Sequence, residues 1–380
     1  ASSASSDATA VGSASVDTSL HNYEADDPNI RYSGRIDFTD PKTPTFSAPG
    51  VAVSVRFQGT GISALLGDEF RYGKERSFYD IVVDGQITGK MSVLQGMDKY
   101  PLASELTPGE HTVSLVKRTQ ASLGKGMFRG FEIAGVAEPP APAAALRIEF
   151  IGDSITAGEG IDAVNGSTEC QEDASGQTGT GGWGQPFHDA NRSYGVLTAQ
   201  ALNADYHLTA VSGIGLVRDY SQMYDARTMA DVYDLLFVEE TASIPWDATQ
   251  FVPDIVVIAL GTNDFSPGDA PRPLMDVATY ASAYVTFVNQ LRGSYPDAQV
   301  FALTSQLLHD GSPAGTTSAT DLKNALTSAV QQLNAAGDAK VHFFQTTSVQ
   351  GLACAGHPNA DQHAQLADEL VTELRSVLQL

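Results

Sequence analysis

The stretch AEPPAPAAALRIEFIGDSITAG, residues 137–158, divides the chain and decides its fold. Its first nine residues, 137–145, are proline and alanine around one glutamate, the composition of a linker. The next run, LRIEFIG, is short and apolar, and it leads straight into Asp153-Ser154, so a buried strand enters a turn and then a helix. Working outward, DYHLTAV, DIVVIAL, AQVFALTS and KVHFFQ repeat the short apolar run. Between them SYGVLTAQALN, ATYASAYVTFVNQLR and ATDLKNALTSAVQQLNAAG place apolar residues at helical spacing, and ADQHAQLADELVTELRSVLQ closes the chain as an amphipathic helix. Strands alternating with helices predict a mainly parallel sheet covered on both faces over residues 146–380.

Upstream of the linker the pattern is different. RYSGRIDFT, VAVSVRFQG, FYDIVVDG, HTVSLVKR and MFRGFEIAG are rich in Val, Ile, Phe and Tyr, and several alternate apolar with polar residues. VDGQ and TPGE supply turns between them. Many short strands without an intervening helix predict an all-β sandwich or jelly roll over residues 21–136. Residues 1–20 are rich in Ser and Ala and lack apolar periodicity; they read either as a flexible tether downstream of a removed export signal or as a ragged terminus.

The chain has 380 residues, enough for two or three domains. Its 22 basic and 45 acidic residues give a formal net charge of −23. Such a surface repels nucleic acid and anionic lipid but not a neutral polymer. No apolar run is long enough to span a bilayer. With two cysteines, Cys170 and Cys354, a four-cysteine zinc site is excluded, and low cysteine content suits an exported bacterial protein.

In a parallel sheet, reactive groups gather in loops at the carboxyl ends of strands. Four such loops carry candidate chemistry. Gly152-Asp153-Ser154 offers a hydroxyl at a strand-to-helix turn, either a nucleophile awaiting a base or a helix N-cap. Ser212-Gly213-Ile214-Gly215 offers an unobstructed backbone N–H, although by itself it reads as a turn. Gly261-Thr262-Asn263-Asp264 offers a side-chain amide to an oxyanion, or an Asx turn. His357-Pro358-Asn359, just before the last helix, offers an imidazole, with Pro358 suited to the first helical turn. Together they supply nucleophile, oxyanion donors and base, which is the equipment of acyl transfer.

This order of blocks resembles the SGNH (GDSL-like) hydrolase superfamily, with Ser154, Gly213, Asn263 and His357 as its four namesake residues. The likeness extends to carbohydrate esterase family two, the acetyl-polysaccharide esterases. SYGVLTAQALNADYHLTAVSGIGL, PDIVVIALGTNDFSPG and HPNADQHAQLADEL carry it in the second half; RYSGRIDFTDPKTPTFSAPGVAVSVRFQGTGI and LTPGEHTVSLVKRTQASLGKGMFRGFEI carry it in the first. The resemblance spans roughly residues 30–378. It implies a β jelly roll followed by a three-layer, flavodoxin-like α/β SGNH domain. It also implies a serine esterase with Ser154 as nucleophile, His357 as base, and Ser154, Gly213 and Asn263 forming the oxyanion hole. The implied substrate is an acetylated polysaccharide or oligosaccharide; no cofactor is implied, and the expected state is a secreted monomer. The residues alone reach only a serine acyl hydrolase, which leaves two rivals: a lipid or thioester hydrolase, and a glycan-binding protein with a weakened catalytic half.

The chain departs from the superfamily pattern in two places. The acid usually found two or three residues before the histidine is replaced by Ala355 and Cys354. The reading is therefore a Ser–His dyad oriented by a backbone carbonyl, with Asp361, one turn later, as runner-up. Gly356 stands where the family often has an aromatic residue. Trp183, in GTGTGGWGQPF, is a candidate replacement platform for a sugar, or else a buried loop anchor, and Asp153 is a second candidate substrate contact. His188, His207, His309 and His363 lack the surrounding blocks and read as structural. His357 and His363 are spaced wrongly for one helical face, which disfavours a metal site. The reading favours a Cys170–Cys354 disulfide bracing the histidine loop over two unrelated thiols.

Overall fold

A computed structural model describes residues 17–71, 76–163, 170, 185–220, 227–240, 243–268 and 272–380. The first half is antiparallel β: β1 (Leu20–Glu24), β2 (Ile30–Ser33), β3 (Thr45–Phe46), β4 (Ala52–Asp68), β5 (Phe78–Val83), β6 (Gln86–Ser92), β7 (Lys99–Ala103), β8 (Gly109–Lys117) and β9 (Gly126–Glu138). β4, with 17 residues, is far longer than the run VAVSVRFQG. It pairs with β2 and β8 at its start and with β7 and β9 further on, so all nine strands join one hydrogen-bonded network. Its alternating burial places Val53, Val55, Phe57, Ile62, Ala64 and Leu66 in a core with Phe128, Phe131 and Ile133 of β9. The register shifts at Gly59–Gly61, where a Cβ on Gly59 would lie 2.3 Å from the Ala134 carbonyl oxygen; the strand can bend there only without a side chain.

The second half is three-layered. Its five parallel strands are β10 (Leu146–Gly152), β11 (Ala204–Ala210), β12 (Ile255–Ala259), β13 (Gln299–Leu303) and β14 (Val341–Phe344), in the order β11-β10-β12-β13-β14. The main helices are α2 (Tyr194–Ala201), α5 (Val277–Ser294), α6 (Ser318–Ala335) and α7 (Ala360–Leu378); α1 (Ser154–Ala157), α3 (Met229–Val232) and α4 (Thr262–Phe265) are single turns. Successive strand residues bury on opposite faces. Val256, Ile258, Val300 and Ala302 pack with Tyr280, Tyr284, Leu322 and Leu326 of α5 and α6. Ile255, Val257, Phe301 and Leu303 pack with Tyr194, Val196, Leu366 and Leu370 of α2 and α7. The strand order reverses at β10, the switch point where α/β sheets place their sites.

The two halves interlock through buried charge. Arg35, 2% exposed, donates to the carbonyls of Tyr233 and Leu235 at 2.6 and 2.7 Å and to Glu149 of β10 at 3.2 Å. Glu149 also accepts from Thr209 and from the Tyr233 hydroxyl. Arg118, beyond β8, pairs with Asp80, Asp162 and Asp189, and Asn191 donates to Asp80. The Arg118 carbonyl accepts from Ala190 N–H, and Asp189 N–H donates to the Gly158 carbonyl. The β half thus braces the loop that carries Ser154. Among the described residues no helix is long and apolar enough to cross a membrane.

Candidate active site

Ser154 opens α1 at the carboxyl end of β10 and is 7% exposed. The turn is held from within. Asp153 caps α1, its carboxylate accepting Ile155 N–H at 3.0 Å. Gly158 ends α1 at φ +74°, and a Cβ there would sit 2.5 Å from the Asp189 carbonyl oxygen. Asp153 is fully buried and also faces the Asn263 amide at 3.4 Å. It is therefore not a substrate contact, contrary to the sequence expectation: both carboxylate oxygens point inward, where the helix cap needs them. Burial, only partly offset by the hydrogen bonds from Ile155 and Thr262, raises its pKa to about 6.

His357 lies between a tight turn and α7. Its Nε2 is 2.8 Å from Ser154 Oγ, and its Nδ1 is 2.8 Å from the Cys354 carbonyl oxygen. A carbonyl only accepts, so Nδ1 carries the proton and Nε2 is free to take one from the serine. The Cys354 carbonyl also accepts His357 N–H at 2.9 Å, and His357 O accepts Ala353 N–H at 2.8 Å. Ala355 and Gly356 hold this turn at φ +51° and +75°. Asp361 is not the orienting acid: it is exposed in the first turn of α7, where a carboxylate complements the helix dipole. Pro358 stands one residue before the cap Asn359 rather than in the first turn. Cys170 and Cys354 form a disulfide, so the residue that orients His357 is covalently anchored. A Cβ on Gly160 would lie 2.5 Å from Cys354 Cβ, which shows how closely the Ser154 and His357 loops pack.

The donor side is built from two loops stapled together. Gly213 turns at φ +80° after β11. Asn263 lies in α4, 6% exposed, its amide donating to the Ile214 carbonyl at 2.8 Å. The Asp264 carboxylate accepts backbone N–H groups of Leu216, Val217 and Arg218 at 3.0, 2.7 and 3.0 Å. Arg272 donates to the carbonyls of Asn263, Ser266 and Asp219. Asp264 and Arg272 thereby fix the separation of the Gly213 and Asn263 blocks, a role that sequence reading did not assign.

One further group was missed. Glu159, in the turn after α1, lies with Oε2 3.9 Å from His357 Nε2. Of the histidines read as structural, His363 is buried with Nδ1 accepting Tyr194 N–H, and its pKa falls to about 3 because burial disfavours the cation. His207 stacks on Phe251 at 3.7 Å and is lowered to about 3 for the same reason. Trp183 lies outside the described residues.

Comparison with known proteins agrees with this geometry. Residues 32–157 match the family described as Carbohydrate esterase 2 N-terminal, and residues 148–370 match GDSL-like Lipase/Acylhydrolase. An acetylxylan esterase / glucomannan deacetylase of Cellvibrio japonicus is 31% identical over 366 residues, covering 95% of this chain and 92% of its own. The chain belongs to carbohydrate esterase family 2. A cellulase/esterase of Acetivibrio thermocellus is 33% identical over 93% of this family-2 chain, which spans 40% of that longer protein. A family two carbohydrate esterase from Clostridium thermocellum, solved with cellohexaose, superposes with a TM-score of 0.79 at 30% identity, covering 92% of this chain and 99% of that one. This family-2 protein is accordingly a carboxylic ester hydrolase.

Proposed function

We propose that this esterase removes O-acetyl groups from plant polysaccharides or their oligosaccharides, such as acetylated xylan or glucomannan. The observation that carries the reading is the relay Ser154 Oγ–His357 Nε2, with Nδ1 committed to the Cys354 carbonyl. Ser154 Oγ attacks the acetyl carbonyl and passes its proton to Nε2 as the O–C bond forms. The oxyanion is held by backbone N–H groups of Ser154 and Gly213 and by the Asn263 amide. The imidazolium returns the proton to the departing sugar oxygen as the ester bond breaks. Water then repeats the sequence on the acetyl-enzyme and frees acetate. The similarity to an acetylxylan esterase / glucomannan deacetylase supports the substrate class. The net charge of −23 and the disulfide suit an exported protein acting on a neutral polymer, and we place it outside the cell as a monomer.

Acetate release from acetylated xylan and glucomannan, alongside hydrolysis of 4-nitrophenyl acetate and octanoate, tests this. Acetyl substrates should be turned over far faster than octanoate. Equal rates on octanoate would favour a lipid hydrolase, and glycan binding without acetate release would favour a binding protein.

A further inference from the structure

The relay leaves an electrostatic question open. When Nε2 takes the serine proton, His357 becomes a cation, and an aspartate in the position the superfamily usually uses would have stabilised it. The Cys354 carbonyl fixes the tautomer but brings no net charge. A carboxylate lies on the opposite side of the ring. Glu159 Oε2 is 3.9 Å from Nε2, and the two side chains are 13% and 16% exposed. Glu159 stands between Gly158 and Gly160, both at positive φ, so its turn is tightly fixed. Burial alone would push the Glu159 pKa up; the charges of His357 and His188 and the polar Ser212 side chain bring it below the ordinary value, so it is ionised at neutral pH.

We propose that Glu159 is a positioning residue that stabilises the His357 imidazolium from the Nε2 side, standing in for the acid missing on the Nδ1 side. The proposal rests on the esterase reading above and deepens it. Attack on the ester forms the Oγ–C bond and moves the proton from Oγ to Nε2, creating a positive charge within 4 Å of the carboxylate. Collapse of the tetrahedral adduct breaks the ester C–O bond and sends that proton to the leaving sugar oxygen. Glu159 exchanges no proton in either step. Its charge is needed when the ring is cationic, which is the condition for acting on kcat. Among the described residues, the other ionisable groups that interact with His357 are unsuited to this task. Asp153 is committed to Ile155 N–H and Asn263, and His363 is a neutral ring packed on Tyr194.

The test needs a readout independent of turnover. In the Ser154→Ala background, NMR titration reports the His357 imidazole directly, whether or not the substrate assignment holds. An opposite charge within ~4–6 Å favours the charged form of such a group. Adding Glu159→Gln should therefore move the imidazole titration to lower pH. Glu159→Asp, which keeps the charge but withdraws it by one methylene, should move it less. With Ser154 present, Glu159→Gln should reduce kcat on 4-nitrophenyl acetate by about tenfold or more, with KM little changed and the acid limb of the kcat/KM profile at lower pH. Circular dichroism identifies the folded variants. An unmoved or raised imidazole pKa in either folded variant overturns the proposal. A rise in KM with kcat intact also overturns it, because Glu159 would then be a substrate contact.

Discussion

Replacing Asp264 with Asn should cost stability and turnover together. Asp264 is fully buried; Oδ1 accepts from Val217 and Arg218, and Oδ2 from Leu216. An asparagine with its oxygen at the Oδ1 position keeps two of the three bonds at neutral strength. Its amide then faces the Leu216 N–H, donor against donor. A hydrogen bond to a charged group is worth ~1.5–3 kcal/mol and a neutral one ~0.5–1.5. Against that loss stands the relief of no longer burying a charge, the effect that raises the Asp264 pKa. The balance is a destabilisation of about 1–3 kcal/mol, or roughly 2–12 °C in Tm for a domain of this size. Relaxation of the 213–218 loop displaces the Gly213 N–H relative to Asn263. Complete loss of one oxyanion donor costs ~10²–10³ in kcat, so partial misalignment should cost about 10–100-fold. Differential scanning fluorimetry and kcat on 4-nitrophenyl acetate are the assays. A Tm unchanged within a degree, with kcat within about twofold of wild type, would refute the staple.

Serine in place of both Cys170 and Cys354 should lower stability by ~2–4 kcal/mol and reduce kcat, because the cross-link anchors the carbonyl that orients His357; unchanged melting and rate would count against this. Asp361→Asn should leave kcat within about tenfold, a barrier change below ~1.4 kcal/mol, and a thousandfold loss would make Asp361 the orienting acid after all. Asp153 is raised to about 6 in the fold, above its unfolded value near 4, so the folded state holds that proton more tightly. Its contribution is fully present below pH ~4 and is lost as pH climbs through ~6. Thermal scans should show wild type losing stability relative to Asp153→Asn over that window; parallel curves would contradict the assignment.

The catalytic half was legible because its elements announce themselves by period. The runs LRIEFIG, DIVVIAL and AQVFALTS coincide with β10, β12 and β13, and the last helical pattern with α7, to within a residue or two. Loops at strand ends then brought Ser154 and His357 into contact from 203 residues apart. The β half was harder. β6, QITGKMS, is an edge strand exposed along most of its length, so no buried face imposes alternation, and β7, KYPLA, contains a proline. β1 falls at the edge of the tail expected to be unstructured. The orienting group of His357 is a backbone carbonyl, which no side chain advertises; only the missing acid hinted at it. Glu159 offered one usable signal, a carboxylate fixed between two glycines five residues after Ser154. Arg35 pairs with Glu149, and Arg118 with Asp162 and Asp189, in the other half of the chain, and periodicity carries no information about such pairings.

Acetate release from acetylated xylan by Ser154→Ala tests the central claim most directly. Circular dichroism and Tm should match wild type, because among the described residues the Ser154 hydroxyl bonds only to a part-exposed imidazole. The rate should fall by at least ~10³-fold, since what survives loss of a nucleophile is binding and the oxyanion hole. A folded Ser154→Ala enzyme that releases acetate within about tenfold of the wild-type rate would contradict the account.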